Sequence, residues 1–531
     1  MLNLNVGILG HVDSGKTSLA KVLSHVASTA AFDKNPQSQE RGITLDLGFS
    51  SFSIPMPDHL KLLTNSDVLQ FTLVDCPGHA SLIKTIIGGA QIIDFMILVI
   101  DAVKGIQTQT AECIVIGELT CDKMMVVLNK IDMIDEAKRT TALEKIKKKI
   151  YSTLQQTKFK NAPIVDVAVQ PSANVNLKPI GLDKLIETLS NFSFVPSRNK
   201  DEPFLFAVDH CFGIKGQGTV MTGTVLQGKV AINDIIEVPH LQITRKVKSL
   251  QMFKRPIQTA IQGDRLGICV TQFDSSKMER SIISSPKLLS LAYCCLIQMN
   301  RIKYFKSKIK SKSNFHITIG HDTVMATITL FSSHESQTFN FANEYQYEEE
   351  FEQEEPEKLK YYFALLEFKH PVYVLSKTLL IGSKLDMDIH GNACRLAFWG
   401  NLLEFSDNKD YKAEFFPKLK IFKTKKKVGA IDRFINKKEI IVKNLFNKNS
   451  NVSNFLGLNI MLSTGELGKI ESIFGQSTNG KVKVTFSDDL KEDTCLRLSK
   501  NKGRIVETEK NINVLLEFKK YIFDSTNKII Q

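Results

Sequence analysis

Residues 10–17 read GHVDSGKT, directly after the apolar run VGILG and directly before a helix-like stretch carrying Leu19, Ala20 and Leu23. The string fits G-x-x-x-x-G-K-[ST], which ties a strand, a tight loop and a helix into one unit. Gly10 and Gly15 let the backbone wrap an anion with its N–H groups turned inward. Lys16 is placed for β- and γ-phosphates, and Thr17 offers a hydroxyl to Mg²⁺. The helix start adds its partial positive charge. Asp13, Ser14, Gly15, Lys16, Thr17 and Ser18 are therefore the first candidate nucleotide-binding residues. Such a unit belongs at the carboxyl edge of a mostly parallel sheet, so the first segment is expected to be α/β.

Further strings fall at the ends of later apolar runs. DCPGH (75–79) closes FTLV. Asp75 is placed to bind Mg²⁺, and the Gly78 N–H to sense a γ-phosphate. NKID (129–132) closes MMVVL. The Asp132 carboxylate suits the paired N1–H and 2-amino donors of guanine, which adenine lacks in that arrangement. Asn129 would tie this loop to the phosphate loop, and the Lys130 stem would pack on the base. VAVQP (167–171) ends a last strand, where the Ala168 N–H would meet guanine O6. RGITLD (41–46) supplies Thr44 as a second Mg²⁺ hydroxyl, ordered when the γ-phosphate is present. His79, next to Gly78, is the candidate for orienting the attacking water. Taken together, these strings predict a P-loop GTPase.

Strand-like and helix-like stretches alternate to about residue 195. One helix is expected where Leu143, Ile146, Ile150 and Leu154 recur three and four apart. VPSRNKDEP (195–203) reads as a linker. Short strands with Gly and Asp turns follow. The expected fold is multidomain α/β plus all-β: a GTPase domain (1–195), β-barrels at 203–285 and 286–412, and a basic β-rich fourth domain (413–531). EYQYEEEFEQEEPEK (344–358) reads as a solvated, partly disordered loop. The net charge of +13 lies mostly in 413–531, which holds 23 Lys and Arg against 13 Asp and Glu, a net of +10. That excess suits an anionic partner. No apolar run approaches the roughly 20 residues of a membrane span. The nine cysteines show no CxxC pair, and the N-terminus no secretory pattern, so a reducing cytoplasm is expected.

GHVDSGKT, RGIT, DCPGH and NKID, followed by barrel-like segments, resemble the translational GTPases of the elongation factor Tu type. Within that superfamily the resemblance is to the eukaryotic selenocysteine-specific elongation factors. HVDSGKTSLAKVLS, STAAFDKNPQSQERGITLDLGFSSF, VDHCFGIKGQGTVMTGTV, GDRLGICVTQFD, RLAFWG and LSTGELGKIESIFGQS carry it across nearly the whole chain. The resemblance implies that His79 positions the hydrolytic water, with Val12 and Ile43 as apolar gate residues. It also implies that Asp13 helps to neutralise charge at the nucleotide. It implies cofactors GTP and Mg²⁺, selenocysteinyl-tRNA and the ribosome as partners, and a monomer working at recoded UGA codons. A separate SECIS-binding protein would link the factor to the SECIS RNA element. A general aminoacyl- or initiator-tRNA carrier of the same superfamily stands as the alternative.

FAVDHCFGIKGQGTVMTGTV (206–225) sets Asp209, His210 and Cys211 in a row on a strand. Alternation sends Asp209 and Cys211 one way and His210 the other, so the three cannot close a tetrahedral metal site. No base or orienting group is legible for a nucleophilic Cys211. The resemblance implies instead that Asp209, His210 and Arg265 (from GDRLG) surround the selenocysteinyl group. A selenol is ionised at neutral pH, and cationic donors would favour it over a serine hydroxyl. Alternation applies here too: Asp209 and His210 share a pocket only where the strand ends or bulges.

Overall fold

A computed structural model describes residues 1–531 apart from 25, 28–46, 78–86, 88–91, 172–177, 254, 279, 321, 353–359, 388–393, 448–450, 476–479, 501–511 and 525–528. Two compact units result: 1–328 with 365–407, and 329–364 with 408–531. Among the described residues no helix is long and apolar enough to cross a membrane.

The first unit opens with an α/β layer. Its strands are β1 (Leu2–Gly10), β2 (Val26–Ala27), β3 (Gly48–Pro55), β4 (Val68–Asp75), β5 (Phe95–Asp101), β6 (Lys123–Asn129) and β7 (Ile164–Asp166), in the order β2-β3-β4-β1-β5-β6-β7. The β4, β1, β5, β6 and β7 neighbours are parallel, and β3 runs antiparallel to β4. The helices are α1 (Lys16–Leu23), α2 (Thr108–Thr120), α3 (Glu136–Leu154) and α4 (Leu182–Phe192). The continuous apolar runs are explained by cores on both sheet faces, one around Leu4, Val6 and Ile8, the other around Leu9, Met96 and Leu98. In α3, Ile150 and Leu154 are buried, and Leu143 and Ile146 pack against the second core. Its N-terminus is capped by Asp135, which accepts the Ala137 N–H at 3.3 Å.

Residues 195–203 form neither helix nor strand, yet they are fastened down. The Arg198 guanidinium donates to both Asp94 oxygens, at 2.6 and 2.5 Å. The next layer has β8 (Leu205–Ile214), β9 (Gly218–Gln227), β10 (Lys229–Ala231), β11 (Ile235–Val238), β12 (Ile243–Met252), β13 (Arg255–Ile257), β14 (Thr259–Ile261), β15 (Arg265–Val270) and β16 (Ser281–Ser284). The path β11-β16-β8-β9-β15-β12 is closed by pairing of β11 with β12, so this segment is a six-stranded barrel. Gly223 of β9 faces Val208 of β8 so closely that a Cβ there would stand 1.8 Å from the Ala207 carbonyl oxygen.

Further along the chain run β17 (Ser290–Gln298), β18 (Asn300–Arg301), β19 (Asn314–Ile319), β20 (Asp322–Ser333), β21 (Tyr345–Glu348), β22 (Tyr361–Val374), β23 (Leu379–Ser383) and β24 (Leu396–Ser406), of which β21, the end of β20 and the start of β22 belong to the second unit. β24 pairs with β17, β18 and β23, and β19 with β23, all antiparallel. Arg395, just before β24, grips the α/β layer. Its Nε and Nη2 donate to the two Glu112 oxygens at 3.0 and 2.8 Å, with both side chains buried.

The second unit holds β25 (Ile421–Asn436), β26 (Glu439–Lys443), β27 (Asn459–Leu462), β28 (Leu467–Ile473), β29 (Val482–Phe486), α5 (Glu492–Lys500), β30 (Asn513–Tyr521) and β31 (Ile529–Ile530). The pairings β25-β26-β29-β28-β27-β30-β25 close a second six-stranded barrel around Ile440, Val442, Val484, Val514 and Leu516. The start of the glutamate-rich stretch departs from the expected loop, while 353–358 lie outside the described residues. That start forms β21, which pairs with β25. The aromatic residues between the glutamates are the reason: Tyr345 is buried among Phe331, Phe339 and Phe363, which offsets the exposed charges. Glu348 is buried, accepting the Ser332 hydroxyl at 2.6 Å and pairing with Lys360 at 2.9 Å.

Candidate nucleotide site and amino-acid pocket

The phosphate loop leaves β1 and enters α1 through two glycines. Gly10 (φ 149°) and Gly15 (φ 91°) adopt left-handed backbone that a side chain would strain. A Cβ on Gly15 would also stand 2.1 Å from Asn129 Nδ2. Asp13, at φ 61°, completes the turn and is exposed. Lys16 is buried and donates to the His11 carbonyl at 2.8 Å; burial pushes its ammonium below the ordinary lysine range, with Asp75 opposing. Among the described residues the fully buried Ser14 Oγ and the His11 Nδ1 have no partner. A cradle of inward groups with unmet polar atoms and a buried cation fits a polyphosphate.

Asp75 ends β4 and accepts the Thr17 hydroxyl at 2.7 Å. A hydroxyl and a carboxylate side by side make a hard-oxygen donor set that fits Mg²⁺. Asn129 ends β6 and joins three loops: its Nδ2 donates to the Ser14 carbonyl at 2.9 Å, and its Oδ1 accepts the Val169 N–H at 3.2 Å. Lys130, at φ 64°, reaches Asp101 at 3.0 Å. Burial opposes ionisation of Asp101, yet the Lys104 N–H, the Lys130 ammonium and the Val103 N–H together hold it below the usual carboxylate range. Asp132 lies in the single turn Ile131–Met133 that follows. Ser18 donates to Gln170 at 3.4 Å.

One expectation is corrected. The Ala168 N–H is not presented to a base, because it donates to the Ile180 carbonyl at 3.0 Å in an isolated bridge. The chain turns back through Gly181 at that point, so its backbone closes on itself. Thr44, Ile43, Gly78 and His79 lie outside the described residues.

In the barrel, the register of β8 against β9 slips between Val208, opposite Gly223, and His210, opposite Thr222. Asp209 is the extra residue of a β-bulge. Strict alternation therefore fails at the position where Asp209 and His210 would have to share a ligand. Asp209 is buried, and its Oδ2 accepts Arg265 Nη1 at 2.5 Å. Arg265 opens β15 and is buried in turn; Nη1 also reaches the Thr224 hydroxyl at 3.4 Å, and Nη2 has no partner among the described residues. Burial pushes its guanidinium below the ordinary arginine value, and Asp209 opposes that shift. His210 is half-buried. Burial, aided by Asp274, pushes the Cys211 thiol up to about 11, which removes the thiolate a nucleophile needs.

The turn that presents Arg265 is clamped to the α/β sheet by residues not identified from sequence. Asn3 and Asn5 of β1 both donate to the Gly263 carbonyl, at 3.0 and 2.8 Å. The signal was present in LNLNVGIL: two asparagines at period two in a strand whose neighbours are all apolar.

Fold and site together define a translational GTPase of the elongation factor Tu type: a parallel-sheet nucleotide domain followed by closed barrels. The family model for the elongation factor Tu GTP binding domain matches residues 2–212. Models for the third domain of eukaryotic selenocysteine-specific elongation factors and for the eEFSec C-terminal RIFT domain match 296–400 and 417–527. A selenocysteine-specific elongation factor from Mus musculus is 45% identical over 577 residues, covering 100% of this chain and 99% of that protein. One from Methanocaldococcus jannaschii is 37% identical over 332 residues, covering 62% of this chain and 66% of the relative. The crystal structure of elongation factor SelB from Methanococcus maripaludis with the GTP analogue GppNHp aligns with a TM-score of 0.70 at 27% identity, covering 98% of both chains. The chain belongs to the eukaryotic selenocysteine-specific elongation factors.

Proposed function

We propose that this GTPase carries selenocysteinyl-tRNA to the ribosome at recoded UGA codons and releases it when GTP is hydrolysed. Lys16 and the phosphate-loop N–H groups hold the phosphates, and Asp132 selects guanine. Thr17 and Asp75 hold Mg²⁺ together with Thr44; the ion supplies charge neutralisation at the β- and γ-phosphates. Gly78 senses the γ-phosphate, and His79 orients the attacking water. The four segments 1–195, 203–285, 286–412 and 413–531 act as separate modules. The basic last module faces RNA or a SECIS-binding protein that connects the factor to the SECIS element. The factor works in the cytoplasm as a monomer.

The observation that carries the tRNA specificity is the bulge at Asp209 beside buried Arg265. Arg265 Nη2 is an unmet buried donor, and a selenolate is the acceptor that would satisfy it. Seryl-tRNA brings a neutral hydroxyl to the same place and gains less. Filter-binding of both aminoacyl-tRNAs in the GTP form tests this. His210→Ala and Arg265→Ala should each weaken selenocysteinyl-tRNA by roughly ten- to a hundredfold while seryl-tRNA changes little. Equal losses for the two tRNAs would refute a discriminating pocket.

A further inference from the structure

In the structure the guanidinium of Arg265 is not open to a ligand. It lies over the ring of Phe49, with the guanidinium carbon 3.0 Å from the ring centroid. Phe49 is not a barrel residue. It sits on β3 of the nucleotide sheet, is almost fully buried, and pairs in register with Val74; its neighbour Gly48 pairs with Asp75. The cover over Arg265 is thus built beside the backbone partner of the residue that binds Mg²⁺.

The Arg265 side of the contact is clamped across two layers. The backbone before Arg265 is fixed to β1 by Asn3 and Asn5, and Arg198, locked on Asp94, fills the space beside Gly263. Thr224 faces Arg265 across the barrel ladder. Phe49 stands one residue into β3, three residues after the RGITLD string. The arginine is anchored, and the phenyl ring is at the start of its strand. A guanidinium with one ion-pair partner, one unmet nitrogen and one face under an aromatic ring is held by a cation–π contact that an incoming anion must replace.

We propose that Phe49 is a specificity-determining residue that couples nucleotide state to the amino-acid pocket, capping Arg265 in the GDP form and withdrawing from it in the GTP form. The proposal rests on the pocket reading above and adds its control. The direction of the coupling follows from what a carrier must do, which is to grip the amino acid with GTP and let it go with GDP. The ring does this by competition, since the selenolate and the phenyl face bid for the same desolvated cation. Asp209 stays on Nη1 in both states and keeps the guanidinium charged.

Two measurements on the full chain test it. The first needs no substitution: phenylglyoxal labelling of arginine, read at Arg265 by peptide mass spectrometry, with GDP or a non-hydrolysable GTP analogue bound. Arg265 should be protected with GDP and labelled with the analogue; equal labelling overturns the proposal. The second uses Phe49→Leu, which keeps an apolar side chain in the core and removes the π face. In the GDP form this variant should bind selenocysteinyl-tRNA roughly tenfold tighter than the unsubstituted chain, the effect of one desolvated cation–π contact, with seryl-tRNA unchanged. An unchanged GDP-form affinity overturns the role of Phe49. Failure of the pocket itself reads differently: the unsubstituted chain in its GTP form would then bind both aminoacyl-tRNAs equally.

Discussion

At the scale of single residues, Asn129 has the widest reach. One buried amide holds the phosphate loop through Ser14 and the base-side loop through Val169. Asn129→Ala breaks both bonds and leaves a buried carbonyl and a buried N–H unmet, at about 1–3 kcal/mol. GTP affinity, measured with a fluorescent analogue, should fall by roughly ten- to a hundredfold; an unchanged affinity would show that the loops hold themselves. The strings at strand ends anticipated that the phosphate loop, Asp75 and Asn129 would meet, as the Thr17–Asp75 and Asn129–Ser14 hydrogen bonds show. The Ala168 contact was misread because a string cannot show that Ile180 returns to take its N–H. No sign of the contact between Phe49 and Arg265, 216 positions apart, appears in the sequence, because no local pattern reports it.

At the scale of elements, the proposed pocket depends on the bulge in β8. Period-two alternation was the correct prior, and it posed the right question about Asp209 and His210. The register against β9 places a bulge at that point, which no local pattern reports. The C-terminal barrel has its own local device. Asp432 of β25 pairs with Lys481 at 2.7 Å and with Lys443 of β26 at 3.3 Å. Hydrogen bonds from Lys481 and then Lys443 hold its carboxyl below the usual range, against a smaller opposing effect of burial. A depressed native value means that the stabilisation is present above the unfolded value of about 3.9 and is lost as pH falls through the native one. For a partly exposed pair the gain is about 0.5–1 kcal/mol. At pH 7, Asp432→Asn should lower hydrogen-exchange protection of β25 and β26 in the full chain. The deficit should shrink as the pH falls through the depressed native value of Asp432; a deficit that stays the same size in acid would assign the effect to packing rather than charge.

At the scale of the whole molecule, the sequence pattern predicted the order of parts better than their joints. Alternating apolar runs and helices gave the α/β layer, and short strands with Gly and Asp turns gave the barrels. The joints are made by residues that read as ordinary surface or strand positions: Asn3 and Asn5 on Gly263, Arg198 on Asp94, and Glu112 on Arg395. Each pair is far apart in sequence, so tertiary proximity alone reveals it. In the described start of the glutamate-rich stretch, charge counting overlooked Tyr345, whose buried ring anchors β21. The central claim is that this GTPase carries one particular aminoacyl-tRNA. The most direct test is to isolate the full chain from cells with a non-hydrolysable GTP analogue, sequence the bound RNA and identify the esterified amino acid by mass spectrometry. A single tRNA species bearing selenocysteine is the predicted result. A mixture of elongator tRNAs, or initiator tRNA bearing methionine, would contradict it.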